Sequence, residues 1–250
     1  MKHLRSTQRL DKILSNFGYG TRKDIKQTLK DGLVKVDGCI TKDGSMHLDP
    51  KLSVIEINDE QLKYREFIYV MMNKPDGVIS ATFDNKLKTV VDMLPEEFQC
   101  FDLFPVGRLD IDTEGLLIMT NDGQLTHDLL SPKKHVPKKY YALIDGEVTQ
   151  DDVNLFKQGV LLNDGFETLP ADLEILRTGI ISEIELVIYE GKFHQVKRMF
   201  ESVGKKVKYL RRTEMGALKL DKSLQPGMCR ELTEVELDLL KGRYKLQKLL

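Results

Sequence analysis

The pattern of apolar and polar residues predicts two short helices near the start of the chain. Between residues 7 and 17 four apolar side chains recur at helical spacing, namely Leu10, Ile13, Leu14 and Phe17. A glycine-rich break at 18–20 ends this pattern. Thr21, with Asp24 three residues later, is then typical of a capped helix N-terminus.

A hairpin pattern follows the second helix. Residues 33–36 (LVKV) lead into a turn, and residues 54–57 (VIEI) resemble a further strand. A short polar stretch at 61–66 has the composition of a linker. We therefore expect a small module at residues 1–60 and a large domain at residues 67–250.

Strand-like patterns dominate the remainder of the chain and interleave with helical ones. The strand-like segments are FIYVMM at 67–72, LLIMT at 116–120, YYALIDGEV at 140–148 and SEIELVIYE at 182–190. The helical patterns occupy 122–130, 150–158 and 193–203. This mixture predicts an α+β fold in which helices pack on a large mixed or antiparallel sheet.

Composition narrows the class of protein. The chain has 250 residues, of which 41% are hydrophobic and 31% charged, so it can bury a core. It contains no apolar run near the roughly 20 residues that span a bilayer and no signal-peptide pattern. Its three cysteines lie far apart without a CxxC pair, which argues against a disulfide framework or a zinc ribbon. We therefore expect a cytoplasmic protein with no membrane association.

The net charge of -1 hides a strong segregation of charge along the sequence. Residues 1–30 carry a net charge of +6, residues 131–141 carry +4, and residues 192–212 carry +7. Such basic stretches on an acidic body suit a surface that faces a polyanion. Three solvated basic faces would give the same pattern, and charge alone does not separate the two interpretations.

The segment VGRLDIDTEGLLIMTNDG at 106–123 contains the clearest candidate chemistry. Arg108, Asp110 and Asp112 occupy a turn-rich stretch directly before an apolar strand, where a rigid sheet can support a site. By itself the Asp-x-Asp pair is compatible with a metal-ligand pair, a structural turn or a helix cap.

The N-terminal segment RLDKILSNFGYGTRKDIKQTLKDGLVKVDG resembles the RNA-binding domain first described in ribosomal protein S-four. The resemblance covers residues 8–60 and includes helix, glycine break, basic helix and hairpin in order. It implies that Arg22, Lys23 and Lys26 of the second helix contact RNA phosphates.

The 106–123 segment is similar to the signature of pseudouridine synthases, specifically the RsuA family of ribosomal small-subunit pseudouridine synthase A type. Further blocks agree with this family in the same order: YVMMNKPDGVIS at 69–80, HVPKKYYALIDG at 135–146, EGKFHQVKRMFESVGKKVKYLRR at 190–212 and PGMCRELTEVEL at 226–237. Together with the N-terminal module, the resemblance covers nearly the whole chain.

The resemblance implies roles for individual residues. Asp110 matches the catalytic nucleophile, and Lys197 matches the basic residue paired with it. Tyr140 matches the tyrosine that stacks on uracil, and Leu210 the apolar residue beneath the ring. Arg108 matches the arginine that helps to extrude the target nucleotide.

The chemistry agrees with these roles. Isomerising uridine involves no redox change and consumes no water, so we expect neither a cofactor nor a metal. A carboxylate paired with a lysine stays ionised, an aromatic ring retains a detached base by stacking, and the target must leave its helix or loop. Arg198 and Arg211, in the last basic stretch, are further candidates for RNA contact.

Each of these residues also has a purely structural interpretation. Tyr140 could be an ordinary sheet residue, and Lys197 with Arg198 could form a solvated helix face. Arg211 and Arg212 could be charges on an edge strand, and His194 could cap a helix. Asp112 and Thr113 we interpret as ordering the turn that presents Asp110.

The resemblance thus implies an enzyme that forms pseudouridine in ribosomal RNA, at the uridine conventionally numbered 516 in 16S RNA, and we expect it to be a monomer. Its partner would be 16S RNA or a pre-30S particle. The alternatives are a large-subunit synthase of the same group, a non-catalytic RNA-binding assembly factor, and a metal-dependent nuclease built on Asp110 and Asp112.

Overall fold

The computed structural model describes residues 7–242, which form two compact units. Unit 1 contains residues 7–67 together with Pro95–Asp102, and unit 2 contains Ile68–Leu94 together with residues 103–242. No helix in this part of the chain is long and apolar enough to cross a membrane.

Unit 1 combines short helices with two small sheets. Its elements are β1 (Gln8–Arg9), α1 (Leu10–Asn16), α2 (Arg22–Lys30), β2 (Val34–Val36), β3 (Cys39–Ile40), β4 (His47–Leu48), β5 (Ile55–Ile57), β6 (Glu60–Gln61) and α3 (Glu96–Gln99). One sheet has the order β3-β2-β5-β6, and β1 pairs with β4 in the other. The predicted helices and hairpin are confirmed, although residues 8–9 extend to pair with β4 before α1 begins.

The capping box predicted for α2 is present. The Thr21 hydroxyl accepts a hydrogen bond from the Asp24 backbone N–H at 3.3 Å, and the Asp24 carboxylate accepts one from the Thr21 N–H at 2.8 Å. Ile25 and Leu29 lie on the buried face of this helix and join the core of unit 1. Local sequence and burial therefore fix the orientation of α2, and its basic side chains remain outside the core.

Unit 2 is built on one sheet of nine strands with helices around it. Its elements are β7 (Tyr69–Lys74), β8 (Phe104–Pro105), β9 (Glu114–Thr120), α4 (Gly123–Leu130), β10 (Lys138–Asp145), α5 (Gln150–Phe156), β11 (Asp172–Arg177), β12 (Ile181–Ile188), α6 (Gln195–Ser202), β13 (Lys206–Met215), β14 (Leu218–Lys219), β15 (Cys229–Glu231) and α7 (Glu234–Leu240). Short 3₁₀ helices occupy Val91–Met93 and Pro132–Lys134.

The main path of this sheet has the order β11-β12-β10-β13-β9-β7-β15, with β14 beside β13 and β8 beside β9. The pairing of β13 with β9 is parallel, whereas the other pairings of named strands are antiparallel. The predicted α+β fold with a large mixed sheet is therefore confirmed.

Burial follows the position of each strand in the sheet. β9 is central and buried along six of its seven residues, as its continuous apolar run requires. β10 and β12 alternate buried and partly exposed positions, so each has one face in the core.

β13 was not expected from the apolar pattern, because its buried positions include an arginine. It lies inside the sheet, and the interpretation of Arg211 and Arg212 as edge-strand charges is therefore wrong.

The parallel contact between β9 and β13 requires a glycine. Gly115 has φ +101°, and a Cβ atom at this position would lie 2.2 Å from the Arg212 carbonyl oxygen and 2.9 Å from its nitrogen. Because those atoms belong to backbone that is itself part of the sheet, they cannot move aside without disturbing the pairing. The close approach of the two strands therefore depends on the missing side chain.

We predict that Gly115→Ala lowers the free energy of unfolding by about 3 kcal/mol or more, since it combines an unfavourable φ with a backbone clash. Urea unfolding followed by circular dichroism measures this difference. Gly123→Ala is the matched control, because a Cβ there meets nothing within 4 Å and the residue starts α4. Its effect should stay within about 1 kcal/mol. Equal losses in both variants would contradict the prediction.

Candidate active site

The loop between β8 and β9 carries Arg108, Asp110 and Asp112. The Thr113 backbone N–H donates to the Asp110 carbonyl at 3.1 Å, which closes a turn within the loop. Ser80 supports the loop from a neighbouring segment, because its hydroxyl donates to the Leu109 carbonyl at 2.9 Å and accepts from the Leu109 N–H at 3.1 Å. The order of this loop therefore depends on Ser80 as well as on the local turn that the sequence predicts.

Lys74, at the end of β7, holds the same loop from below. Its side chain is fully buried, and Nζ donates to the carbonyls of Pro75 at 2.9 Å, Ile111 at 3.1 Å and Thr113 at 2.9 Å. Burial lowers the pKa of Lys74 to about 8, against the opposing influence of nearby carboxylates that include Asp112. The ammonium thus donates to two carbonyls of the loop, those of Ile111 and Thr113, and to the Pro75 carbonyl next to its own strand.

Lys197 of α6 connects the loop to the helix. Its Nζ lies 3.1 Å from Asp110 Oδ2 and 2.5 Å from Asp112 Oδ1. Burial alone would lower the pKa of Lys197, but the hydrogen bonds and charges of both carboxylates outweigh it and raise that pKa. Burial likewise acts to raise the pKa of Asp112, and Lys197 reverses the effect so that this pKa is lowered. The lysine is therefore held as a cation beside both carboxylates.

This arrangement changes the interpretation of Asp112. Its carboxylate bonds to Lys197, so its role extends beyond ordering the turn. The Lys197 ammonium also stands between Asp110 and Asp112, where the nuclease hypothesis would put a magnesium ion. The geometry therefore disfavours the metal-dependent nuclease.

His194 precedes α6 in the left-handed conformation, with φ 48°. It occupies the N-cap position of α6, as the capping interpretation places it, but its side chain makes no capping hydrogen bond. Instead Nε2 lies 3.6 Å from Asp110 Oδ1, and the ring stacks on Phe193 with centroids 3.8 Å apart. His194 is therefore a further polar side chain beside Asp110. Sequence reasoning did not select His194 as a site residue.

These groups surround a cavity of about 560 Å³ within unit 2. Four buried side chains from adjacent strands line it on one face of the sheet, namely Lys138 and Tyr140 of β10 with Leu210 and Arg212 of β13. Tyr140 is paired directly with Arg212 across the two strands. We call these four residues the cavity floor. The cavity is also lined by Arg108, Asp110 and Lys197.

The structure brings together five of the residues that the sequence selected. These are Arg108, Asp110, Tyr140, Lys197 and Leu210, which all line the cavity. Tyr140 is a buried sheet residue that also lines the cavity, and the Lys197 side chain is largely buried rather than on a solvated helix face.

The remaining predicted residues lie elsewhere. Arg198 ion-pairs with Asp164 and donates to the Phe193 carbonyl at 3.3 Å. Arg211 does not line the cavity, because it alternates with Leu210 and Arg212 along β13 and so lies on the other face. The exposed Arg22, Lys23 and Lys26 belong to α2 of unit 1.

Sequence reasoning did not select Lys74, Lys138 and Arg212. Each lies inside a motif that carried the family resemblance, and Lys138 and Arg212 each lie two positions from a selected residue, Tyr140 and Leu210. The two-residue period of a strand was the available signal, since Lys138 shares a face with Tyr140 and Arg212 shares one with Leu210.

A carboxylate held by a lysine in a cavity that is also lined by an aromatic and an apolar side chain, Tyr140 and Leu210, is typical of an enzyme rather than of a simple binding module. The family model described as RNA pseudouridylate synthase matches residues 68–202, and the model described as S4 domain matches residues 8–54.

Individual proteins agree with these matches. The chain is 51% identical to the uncharacterized RNA pseudouridine synthase YtzG of Bacillus subtilis, over 93% of this chain and 98% of that protein. It is 41% identical to ribosomal small subunit pseudouridine synthase A of Vibrio cholerae, over 91% and 97% of the two chains. A crystal structure of a pseudouridylate synthase superposes with a TM-score of 0.66 at 35% identity, covering 93% of this chain and 99% of that one.

The chain belongs to the RNA pseudouridylate synthase family and carries an S4 domain at its N-terminal end. It is an isomerase that forms pseudouridine in RNA. The resemblance to the RsuA family and to the RNA-binding domain of ribosomal protein S-four is therefore confirmed.

We predict that Lys74→Met lowers the free energy of unfolding by about 2–4 kcal/mol, because three carbonyls lose a charged donor. The rate of pseudouridine formation should fall as well, since the loop that carries Asp110 loses its support. Urea unfolding and a single-turnover assay measure the two effects. Lys219→Met is the control, because that exposed lysine only approaches Glu214 at 3.3 Å. Unchanged stability of Lys74→Met would contradict the assigned role.

Proposed function

We propose that the protein converts one uridine of 16S ribosomal RNA, at the site conventionally numbered 516, to pseudouridine. The small-subunit RNA is supported by the 41% identity to ribosomal small subunit pseudouridine synthase A of Vibrio cholerae over nearly the full length of both chains. The position 516 is what the resemblance to the RsuA family implies. The observation that carries the chemistry is the Asp110 carboxylate beside the cavity floor, with Lys197 Nζ at 3.1 Å.

Asp110 acts as the nucleophile in this proposal. Lys197 Nζ lies 3.1 Å from its carboxylate and holds it at the cavity as an ion pair, so the nucleophilic group is positioned for attack. Tyr140 retains the uracil by stacking, a contact worth about 1–3 kcal/mol, and Leu210 packs beneath the ring. The freed base can then turn without leaving the site.

The target uridine reaches the site by base flipping. A base that is stacked in a helix cannot enter a cavity whose floor is a buried sheet face, so the nucleotide must leave its stack. Arg108, which lines the same cavity, is suited to take the place of the extruded nucleotide.

The partner in this proposal is ribosomal RNA, either free 16S RNA or a pre-30S particle in the cytoplasm, and the enzyme acts as a monomer. The exposed basic face of α2 in the S4 domain supports it, because Arg22, Lys23 and Lys26 can reach phosphates.

The alternative is a uridine of large-subunit RNA, which the same chemistry would serve. Pseudouridine mapping of both ribosomal RNAs from cells lacking the protein distinguishes the two. Loss of the modification at uridine 516 alone supports the proposal, and loss of a large-subunit site alone contradicts it.

We predict that Asp110→Asn abolishes pseudouridine formation while RNA affinity changes less than about threefold, because the substitution removes the charge but keeps the shape. A single-turnover assay and a binding titration measure the two quantities. Asp112→Asn is the matched comparison, since it also loses a carboxylate near Lys197 but should retain much of the rate. Turnover above a few per cent in Asp110→Asn would rule out the assignment.

We predict that replacing Arg22, Lys23 and Lys26 together by Gln weakens RNA binding and flattens its salt dependence. Each phosphate contact contributes about 0.7–0.9 to the log–log slope, so the slope should fall by about 2. The rate at saturating RNA should change much less. Lys35→Gln with Lys51→Gln is the control, because these lysines are paired with Asp59 and Glu66. An unchanged slope in the triple variant would refute the predicted RNA contact.

A further inference from the structure

Two buried cations in the cavity floor have no role in the chemistry described so far. Lys138 is 8% exposed and Arg212 is 2% exposed. Lys138 lies two residues before Tyr140 on the same face of β10, and Arg212 is the direct partner of Tyr140 on β13. Both cations therefore flank the ring on which the uracil is proposed to stack.

Neither cation is neutralised by a carboxylate among the residues that the structure describes. Lys138 Nζ donates to the Val136 carbonyl at 2.9 Å, and Arg212 Nε donates to the Leu116 carbonyl at 2.8 Å. Arg212 Nη2 is buried and has no acceptor among residues 7–242. Over the same part of the chain, no carboxylate lies within ion-pair distance of either side chain.

The electrostatic state of Lys138 reflects this environment. Burial, and then the charge of Arg212, lower its pKa to about 8, and Glu190 opposes them only weakly. Glu190 is already engaged, because its Oε1 accepts from the Leu169 N–H at 2.9 Å and from Gln195 Nε2 at 3.0 Å. The floor thus contains two mutually repelling groups that an acceptor or anion would stabilise.

The part of the substrate that meets these cations is the base. The phosphates on either side of the target nucleotide continue into the RNA chain, so they must remain near the mouth of the cavity. The uracil is the free end of the flipped nucleotide, and only it can reach a floor that is this deeply buried. Its polar edge offers the carbonyl oxygens O2 and O4 as acceptors.

We propose that Lys138 and Arg212 bind the carbonyl edge of the target uracil and stabilise the negative charge that the base carries when it leaves the ribose. This inference rests on the function proposed for Asp110 and Tyr140. It adds two catalytic residues on the side of the leaving group.

The electron balance of the step is as follows. The Asp110 carboxylate attacks C1′ as the C1′–N1 bond breaks, and the electron pair of that bond leaves with the base and spreads over N1, O2 and O4. The ring then turns, C5 donates an electron pair to form the C1′–C5 bond, and the bond between C1′ and Asp110 breaks so that the carboxylate is released. C5 loses its proton and N1 gains one, so the overall change is an isomerisation. Preorganised cations in a dry site act most strongly on charge that develops in the reaction, by about 10²–10³-fold for one donor.

A change of leaving group tests this role. Fluorine at C5 withdraws electrons and makes uracil a better leaving group, so its departure needs less help from the two cations. We would measure the single-turnover rate of C1′–N1 bond cleavage for uridine and for 5-fluorouridine at the target position of the same RNA, near pH 7. This step is common to both substrates, whereas the later loss of a proton from C5 occurs only with uridine. The proteins would be the wild type, Lys138→Met and Arg212→Met in the full chain.

We expect each variant to lower the single-turnover rate on uridine by about 100-fold or more. On 5-fluorouridine the loss of rate should be about tenfold smaller, that is, about 10-fold. Lys139→Met is the matched control, because that lysine is adjacent, lies on the other face of β10 and pairs with Glu185. It should stay within about threefold of the wild type on both substrates.

Equal losses on both substrates would overturn the proposal, since the cations would then position the base without bearing on its charge. Weaker RNA binding with an unchanged saturated rate would also overturn it and indicate a phosphate contact. If Arg212→Met does not fold, the proposal is tested with Arg212→Lys and Lys138→Met instead. Arg212→Lys keeps a cation at this position and should retain most of the rate, whereas Lys138→Met should show the difference between substrates.

Asp110→Asn, assayed in parallel, separates this proposal from the one on which it depends. That variant should be inactive on both substrates. If it keeps turnover, the nucleophile assignment fails whatever the two cation variants do. If it is inactive and the cation variants show no difference between substrates, only the present proposal fails.

Discussion

The parallel contact between β9 and β13 is the constraint on which the site depends. β9 follows directly from the loop that carries Asp110, and β13 carries Leu210 and Arg212 of the floor. Gly115 lets the two backbones meet where a Cβ atom would overlap the Arg212 carbonyl. The bond from Arg212 Nε to the Leu116 carbonyl ties the side chain of one strand to the backbone of the other. The nucleophile loop and the floor are thereby fixed relative to each other.

The charged groups at the cavity differ in whether they have a partner. The Asp110 and Asp112 carboxylates share Lys197, whereas Lys138 and Arg212 lack a counter-ion within residues 7–242. Breaking a glycosidic bond moves electrons from the sugar toward the base. A carboxylate next to the sugar and cations next to the base would therefore both be stabilised as the bond breaks.

The sequence predicts those parts of the structure that depend on neighbouring residues. The cap of α2 follows from Thr21 and Asp24, three residues apart, and the central position of β9 follows from its unbroken apolar run. The contact between Lys197 and Asp112 joins residues 85 positions apart, and no local pattern indicates it. The burial of Arg212 is likewise set by β9 and β10 on either side of β13, so an arginine that resembles an edge charge becomes part of the floor.

The ion pairs in the structure change the interpretation of the basic stretch at 192–212 as an RNA-facing surface. Several of its cations are already committed within unit 2: Lys197 to Asp110 and Asp112, Arg198 to Asp164, Lys205 to Asp152, Lys208 to Asp145, and Arg212 to the floor. A cation paired at short range contributes little to the long-range attraction of RNA, because the field of its partner cancels its own. Arg22, Lys23 and Lys26 of α2 are exposed and have no ion pair among the described residues. Charge counted along the sequence therefore overstates the RNA-facing surface of unit 2, and the S4 domain carries cations that remain available for phosphates.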